Sequence, residues 1–368
     1  MSRARDFADL AAAYSGGGAL GKRNMIINGA MNVIQRGEQT TIASGYTLDR
    51  WSLQNNTAGR ATVGRDAEVP TGQGFLNSLK LDVTTADASV AAGDIGWIAY
   101  RFEGQDLQQI RKGTSDAKKV TLQFWVRSPK TGTHIVQLYD ADNNRHNSKS
   151  YTISSADTWE KQTITFEADT TGAFDDDNAY SLQIYFALIA GSTYTGGTLA
   201  SSAWASFSQA NGFVGQVNVF DNTSNNFYIT GVQLELGEVA TPFEFESYGD
   251  TLAKCQRYFW RVDASGNSAT RFAGGQAFTT TGGETYHHPP VAMRATPSVG
   301  QTGTASNYAF YEANSTVACS GVPTVSGSQT KDLQVLYANV SSGLTAGRAL
   351  SLMANSTTSA YINFDAEL

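Results

Sequence analysis

Charge is scarce in this sequence. Only 16% of its 368 residues are Asp, Glu, Lys or Arg, the formal net charge is −7, and no dense Lys/Arg block occurs along the chain. Without a basic face there is no electrostatic footprint for nucleic acid or for an anionic membrane surface, and neither partner is expected. Cysteine is almost missing. Cys255 and Cys319 cannot build a disulfide framework or a four-ligand zinc site, so two free thiols are expected. No window approaches about 18 uninterrupted apolar residues, so no membrane-spanning helix is expected. Arg3, Arg5, Asp6 and Asp9 interrupt what would have to be the apolar stretch of a signal peptide, so none is expected there.

Signatures of chemistry are also sparse. "GGGALGK" at 16–22 fits both G-x-G-x-x-G and G-x-x-x-x-G-K. A phosphate cradle, however, needs a strand before the loop, a helix after it and a hydroxyl for magnesium, and the order here is helix, loop, strand. A flexible hinge is the reading. "YHHPP" sets His287 beside His288, and neighbours on an extended chain point to opposite faces, so the pair cannot grip one metal. "FDDDN" offers Asp175, Asp176 and Asp177 but lacks the Gly and terminal Glu of a helix-loop-helix calcium loop, which leaves an acidic surface turn. No metal and no cofactor are expected. Nucleophile motifs such as G-x-S-x-G and H-E-x-x-H are absent. Glu160, Glu235, Glu244 and Glu246 are candidate glycosidase carboxylates only because two carboxyls at the right separation suffice for that chemistry. No enzymatic activity is expected.

What the sequence has in quantity is Gly, 36 residues of it, together with Thr, Ser, Asn, 16 Tyr and 18 Phe. That mixture favours strands and tight turns, and the length suits two or three domains. The fold class expected is all-β. Phe7, Leu10 and Tyr14 are spaced as one stripe of a short helix, which "SGGG" then breaks. From 24 to about 246 strands are expected at Met25–Ile27, Trp51–Gln54, Ser78–Val83, Trp97–Phe102, Lys119–Arg127, His134–Asp140, Glu160–Glu167, Leu182–Leu188 and Phe227–Leu236. "VTLQFWVRS" puts Val120, Leu122, Phe124 and Val126 on one face, and "YITGVQLEL" puts Ile229, Val232, Leu234 and Leu236 nearly so. Tyr248, Leu252, Cys255 and Phe259 then step by four, three and four, the rhythm of a helical seam. Such a stripe can be buried against a neighbouring domain or along the axis of a homotrimer. Alternation resumes in "RFAGGQAFT", "PSVGQ", "LQVLYANVS", "RALSLMAN" and "AYINFDAEL". The domain reading is therefore 1–23, an anchoring helix and hinge; 24–246, a β-sandwich; 247–259, a linking helix; and 260–368, a smaller β-sandwich.

Three motifs stand in one order: "NMIINGAMNVIQRG…YTLDRW", "YITGVQLELGEVATPFEFESYGDTLAKCQRYF" and "MRATPSV…SAYINFDAEL". The arrangement resembles tail fibre proteins of tailed bacteriophages and prophages over residues 24–368, and "SRARDFADLA" resembles the virion-attachment ends of such fibres. The first domain resembles a carbohydrate-binding jelly roll, in which an Asn-Gly after the first strand, here Asn28 and Gly29, lies near the closing "Y-I-x-x-V-x-L" strand. Thr230 stands where such modules often carry an acidic calcium ligand. The resemblance implies a virion component that binds a receptor for adsorption to its host. The first helix, through Phe7, Leu10 and Tyr14, would hold a baseplate, an adaptor or another virion protein. The seam Tyr248, Leu252, Cys255 and Phe259 would trimerise the chain. The protein would reside in the phage tail, after assembly in the host cytoplasm.

Six tryptophans are the natural suspects for stacking on sugars. Trp51, Trp125 and Trp159 read as structural, with Trp159 plugging the core. Trp204 falls in "GSTYTGGTLASSAWASFSQANG", which reads as an exposed loop. Receptor contact is expected at the distal end, where "TTTGGETYHHPP" and "TGTASNYAFYEANST" read as loops carrying Tyr286, His287, Tyr308 and Tyr311 among small polar residues. The receptor is expected to be a surface glycan or an outer-membrane protein. Two other readings remain: a fibre that degrades polysaccharide as a glycoside hydrolase or lyase, and a purely structural fibre or decoration protein.

Overall fold

A computed structural model describes residues 23–37, 39–327 and 329–368. The proposed anchor residues Phe7, Leu10 and Tyr14 and the hinge at 16–22 lie outside the described residues. The fold is all-β, as expected, and it divides into two compact units, one running to Thr251 and the other covering Leu252–Glu367. The division falls inside the linking helix.

The first unit is built from strands β1 (Gln39–Ile42), β2 (Gly45–Tyr46), β3 (Trp51–Asn55), β4 (Arg60–Asp66), β5 (Ser78–Thr85), β6 (Ile95–Glu103), β7 (Val120–Arg127), β8 (Gly132–Asp140), β9 (Arg145–Ile153), β10 (Glu160–Phe166), β11 (Tyr180–Ala190), β12 (Ala205–Ser206) and β13 (Asn226–Leu236), with the one-turn helix α1 (Ser192–Thr195) after β11. They form two antiparallel sheets, β1-β4-β5-β13-β7-β10 and β12-β9-β8-β11-β6-β3-β2. The sheets face each other as a jelly-roll sandwich. Alternation decides which side chains go inside: Val120, Leu122, Phe124 and Val126 from β7 meet Ile98 and Tyr100 from β6, Val136 and Leu138 from β8, and Ile184 and Phe186 from β11 in one continuous core. Trp51 is fully buried at its centre, with Tyr100 and Phe186 around its ring.

Two sequence features of this sandwich have a physical cause. The apolar set of β13 skips from Ile229 to Val232 because the β13–β7 register shifts between Thr230 and Gln233, at a bulge where Gly231 holds φ +62°. Asn28 sits at φ +60°; its side chain accepts from Val33 N–H at 2.9 Å and donates to the carbonyls of Val33 and Asp49 at 2.9 and 3.0 Å. This turn brings Gly29 so close to the closing strand that its carbonyl accepts from Val232 N–H at 2.9 Å, and a Cβ on Gly29 would stand 2.1 Å from Val232 O. Met25–Ile27, expected as a strand, forms none. Met25 N–H reaches Leu234 O at 2.9 Å, but the Asn24 side-chain oxygen takes the next ladder position by accepting from Leu234 N–H at 3.1 Å.

Residues 237–246 fold back over the outer face of the first sheet as a strap. Thr121 Oγ1 donates to Gly237 O at 2.7 Å, and the Glu235 carboxylate accepts from Thr241 N–H at 2.8 Å and Thr241 Oγ1 at 2.6 Å. Gln233 Oε1 accepts from Glu244 N–H at 2.8 Å. β13 is therefore buried on both faces although its outward residues are polar. Phe243 and Phe245 close the strap against Phe75, with ring centroids about 5 Å apart in all three pairs.

Helix α2 covers Tyr248–Gln256, shorter than the 247–259 expected. Ser247 caps it: its Oγ accepts from Asp250 N–H at 3.2 Å, and Asp250 Oδ2 takes the Ser247 hydroxyl at 2.7 Å. The second unit contains β14 (Phe259–Asp263), β15 (Arg271–Thr279), β16 (Gly282–His287), β17 (Ser298–Gln301), β18 (Tyr308–Glu312), β19 (Ser315–Ala318), β20 (Thr324–Val325), β21 (Gln334–Asn339), β22 (Ala349–Ala354) and β23 (Tyr361–Asp365). A three-stranded sheet, β14-β23-β17, covers a seven-stranded one, β19-β18-β22-β15-β16-β21-β20. Phe364, Ile362, Phe310, Leu352, Leu336 and Met293 fill the space between. This is the smaller β-sandwich that alternation predicted.

Candidate functional site

The distal residues divide by strand parity. Tyr286 is 38% exposed, whereas its neighbour His287 points inward and is buried. His287 Nε2 lies 3.1 Å from Thr285 Oγ1, its ring is 5.4 Å from that of Phe364, and burial followed by the nearby His288 lowers its pKa to about 4. Tyr308 is likewise buried: its hydroxyl donates to Tyr361 O at 2.6 Å and accepts from Thr302 N–H at 2.9 Å. The reading of His287 and Tyr308 as ligand contacts is therefore corrected, because both sit at inward positions of strands β16 and β18 rather than in loops. Tyr311 is half-buried, with the Arg271 guanidinium 4.2 Å above its ring. β18 and β16 are separated by β22 and β15 in the sheet, which puts Tyr311 and Tyr286 about 14 Å apart across three strand spacings. The two rings do not touch each other.

Along the proposed seam, Tyr248 is 57% exposed and Leu252 is half-buried, but Cys255 and Phe259 are buried within the chain. Phe259 belongs to no helix; it opens β14 and pairs with Asp365. Cys255 and Phe259 are thus removed from the seam, since their side chains are already covered.

The polar, aromatic surface of the first unit lies on the outward face of its seven-stranded sheet. β6, β11 and β8 are adjacent there, with Arg101 opposite Gln183, Gln183 opposite Tyr139, and Ala99 opposite Tyr185. The small Ala99 and Ala187 leave room for large neighbours, and the rings run in a line. Trp97 meets Tyr185 edge-on at 4.6 Å, Tyr185 is 6.2 Å from Tyr139, and Tyr139 is 5.2 Å from Phe207. Trp97, Tyr185, Tyr139 and Arg101 are all half-buried. Arg101 Nε donates to Gln183 Oε1 at 3.3 Å, and its guanidinium lies 5.1 Å over the exposed Tyr180 ring. Burial raises the pKa of both Tyr139 and Tyr185, so each hydroxyl is a neutral donor near pH 7. Tyr139 donates to Asn144 Oδ1 at 3.1 Å.

One side of this face is walled by residues 191–217, of which 191–212 were expected as an exposed loop. The segment is instead tied to the sheet: Ser148 N–H donates to Ala200 O at 2.9 Å, Ile135 N–H to Gln216 Oε1 at 2.7 Å, and Val217 N–H to Thr133 O at 3.0 Å. Phe213 stacks on Trp97 at 6.0 Å and 17°. Trp204, in the same segment, is pinned by its indole N–H to Glu167 O at 2.8 Å. Trp159, expected in the core, lies at the surface of the other sheet; its indole donates to Glu68 Oε1 at 3.2 Å and its ring meets Tyr228.

The remaining candidates have structural partners. Glu235 is buried beneath the strap, Glu160 Oε1 accepts from Ser154 and Ser155 N–H at 2.8 Å, and Glu244 accepts from Asn24 N–H at 2.7 Å. Thr230 is buried with its hydroxyl on Asn77 O at 2.7 Å. In "FDDDN", Asp177 Oδ1 accepts from Ala179 N–H and Asp175 N–H donates to Asp142 Oδ2, the contacts of a turn. Among the described residues no three His, Cys, Asp or Glu side chains group around a point where a metal could sit.

No protein-family model matches the sequence, and no curated protein matches it. Among solved structures it is similar to the enzymatically active domain of tailspike protein 4 from bacteriophage CBA120, at 16% identity and TM-score 0.31, over 58% of this chain and 21% of that one. It thus spans about a fifth of that tailspike chain. It is similar to the family 11 carbohydrate-binding module of the cellulosomal cellulase Lic26A-Cel5E of Clostridium thermocellum, at 13% identity and TM-score 0.29, over 56% and 97% of the two chains. A third likeness is to TmCBM61 in complex with β-1,4-galactotriose, at 10% identity and TM-score 0.30, over 59% and 100%.

Proposed function

We propose that this chain is a non-catalytic, glycan-binding tail fibre protein of a tailed bacteriophage, and that its jelly-roll unit holds the saccharide on the outward face of the seven-stranded sheet. The observation that carries the reading is the line of Trp97, Tyr185 and Tyr139 beside Arg101 and Gln183. Aromatic faces pack against the C–H face of a pyranose, while a guanidinium, here braced by the buried Gln183, matches its hydroxyls. The virion setting, with attachment through the N-terminal segment and adsorption to a host surface, rests on the motif order of the sequence. Assembly as a homotrimer belongs to the same reading, with the Tyr248 and Leu252 turn of α2 as the part of the stripe still open. Weak single sites suffice in such an array, because several copies raise retention through effective concentration.

Isothermal titration against purified host envelope polysaccharide tests the site. The full chain binds, and Tyr185→Ala with Tyr139→Ala weakens binding by about tenfold, near 1.4 kcal/mol, with the far-UV spectrum unchanged. Equal affinity in the double variant refutes this placement, and sustained release of reducing sugar refutes the non-catalytic reading. Light scattering tests the assembly: three chain masses are expected for the full chain and one after removal of residues 248–368.

A further inference from the structure

One end of the jelly-roll unit contains a buried group of charges that the proposed glycan face does not use. The Lys112 side chain is 1% exposed, and its ammonium is surrounded by oxygen: Asp140 Oδ2 at 2.6 Å, Thr171 O and Gly172 O at 2.8 Å each, and Asp169 Oδ2 at 3.1 Å. Asp140 is fully buried and Asp169 nearly so. The Phe174 and Trp204 rings close the remaining sides, 5.3 and 5.5 Å from the nitrogen. Every carboxylate oxygen has a further partner. Asp140 Oδ1 accepts from Asn143 N–H at 3.1 Å, and Oδ2 also takes the Asn143 amide at 3.1 Å. Asp169 Oδ1 accepts from Thr171 N–H at 3.0 Å, and Arg145 grips both oxygens at 2.7 and 3.1 Å.

This is the donor set of a hard-cation site: two carboxylates and two backbone carbonyls converging on one point. An ammonium has three hydrogens to share, yet four protein oxygens lie within reach of it. We infer that Lys112 is a tethered cation resident in an oxygen cage that, without it, takes up calcium. The cage joins the turn after β8, the loop after β10 and the segment before β7, so the charge at its centre holds three loops together. With Lys112 and Arg145 against Asp140 and Asp169 the group is neutral; without Lys112 it carries one net negative charge and two carbonyls facing empty space. A divalent ion answers both deficits, whereas the covalent ammonium makes this end of the fold independent of metal supply.

The test uses the full chain and Lys112→Ala, each stripped with EDTA and titrated with calcium, with terbium as a luminescent stand-in excited through Trp204. The wild type is expected to show no calcium-dependent rise in Tm and no sensitised terbium emission at this site. Lys112→Ala is expected to melt lower in EDTA, to regain Tm with calcium at a Kd of about 10⁻³ M, and to sensitise terbium emission that Trp204→Phe removes and Asp140→Asn weakens. Magnesium, which demands a tighter octahedron and dehydrates reluctantly, restores less. Lys112→Met, which fills the stem volume without charge, controls for folding and gains no calcium response. A Lys112→Ala protein that remains unresponsive to calcium, folded or unfolded, overturns the inference, as does a Lys112→Met protein that responds equally.

Discussion

Acid should loosen both units through buried imidazoles. His134 in β8 and His287 in β16 are buried, and desolvation, the largest cause in each, brings both pKa values down from 6.5 to about 4. The hydrogen bonding agrees. His134 Nε2 lies 3.0 Å from the Lys130 carbonyl, so the neutral ring carries its proton there, and Nδ1 has no hydrogen-bond partner to receive a second one. His287 Nδ1 is equally without a partner. A base whose folded pKa is depressed binds protons more readily when unfolded. Its stabilising contribution is therefore complete above pH 6.5, declines as the pH falls from 6.5 to 4, and is gone below that. A shift of 2.5 units at 1.36 kcal/mol each gives about 3 kcal/mol per histidine. His146, also lowered by burial, adds in the same direction. Asp169 acts in a different window: although burial alone would raise its pKa, Arg145, Thr171 N–H and Lys112 bring it below the ordinary value of 3.8, so its loss comes at lower pH. Urea unfolding at half-unit steps from pH 7.5 to pH 4, paired with His134→Gln and His287→Gln, measures the effect. Each substitution should flatten its share of the slope while costing stability at neutral pH. A wild-type curve that stays level between pH 6.5 and 4, or variants that keep the full slope, would show that these rings are not held neutral by the fold.

Two further substitutions probe the architecture. Gly29→Ala places a methyl carbon 2.1 Å from the Val232 carbonyl and should cost more than about 2 kcal/mol in a denaturant titration, as overpacking against backbone does. Thr241→Val removes both hydrogen bonds that its hydroxyl makes, one to the buried Glu235 carboxylate and one from Gln233. It should cost about 2 kcal/mol and raise amide exchange along the strap at 237–246.

Much of the sandwich was legible because the alternation in β7 is strict, which has one solution once a face must be dry, and because β8 and β11 are apolar runs bounded by turn residues. β9 was missed because its positions opposite the core residues Leu138 and Val136 are Asn147 and Lys149, so no apolar alternation shows, while the outward His146 and Ser148 are buried as well. The covering segment at 191–217 has no periodicity, because it adds only the two-residue strand β12 to the sheet and otherwise follows its contours, which Gly, Ser and Ala allow. The histidine pair was half legible. Parity placed His287 and His288 on opposite sides, but nothing in "YHHPP" says which side is the interior; that is fixed by pairing with Gln334 across the sheet. The bulge at Gly231 left its trace in the three-residue step from Ile229 to Val232. The cage around Lys112 left none, since Lys112, Asp140 and the loop carrying Asp169 and the two carbonyls are three segments far apart in the chain.

The strap has a mechanical meaning. Arg23 Nη2 donates to Pro242 O at 3.4 Å and Asn24 N–H to Glu244 Oε2 at 2.7 Å, so the two points where the polypeptide joins and leaves the jelly roll are fastened to each other. Tension applied between the two ends of the jelly roll meets this buckle before it meets the hydrophobic interior. A domain mounted in that way can be tugged from both ends and still keep its outward sheet in shape.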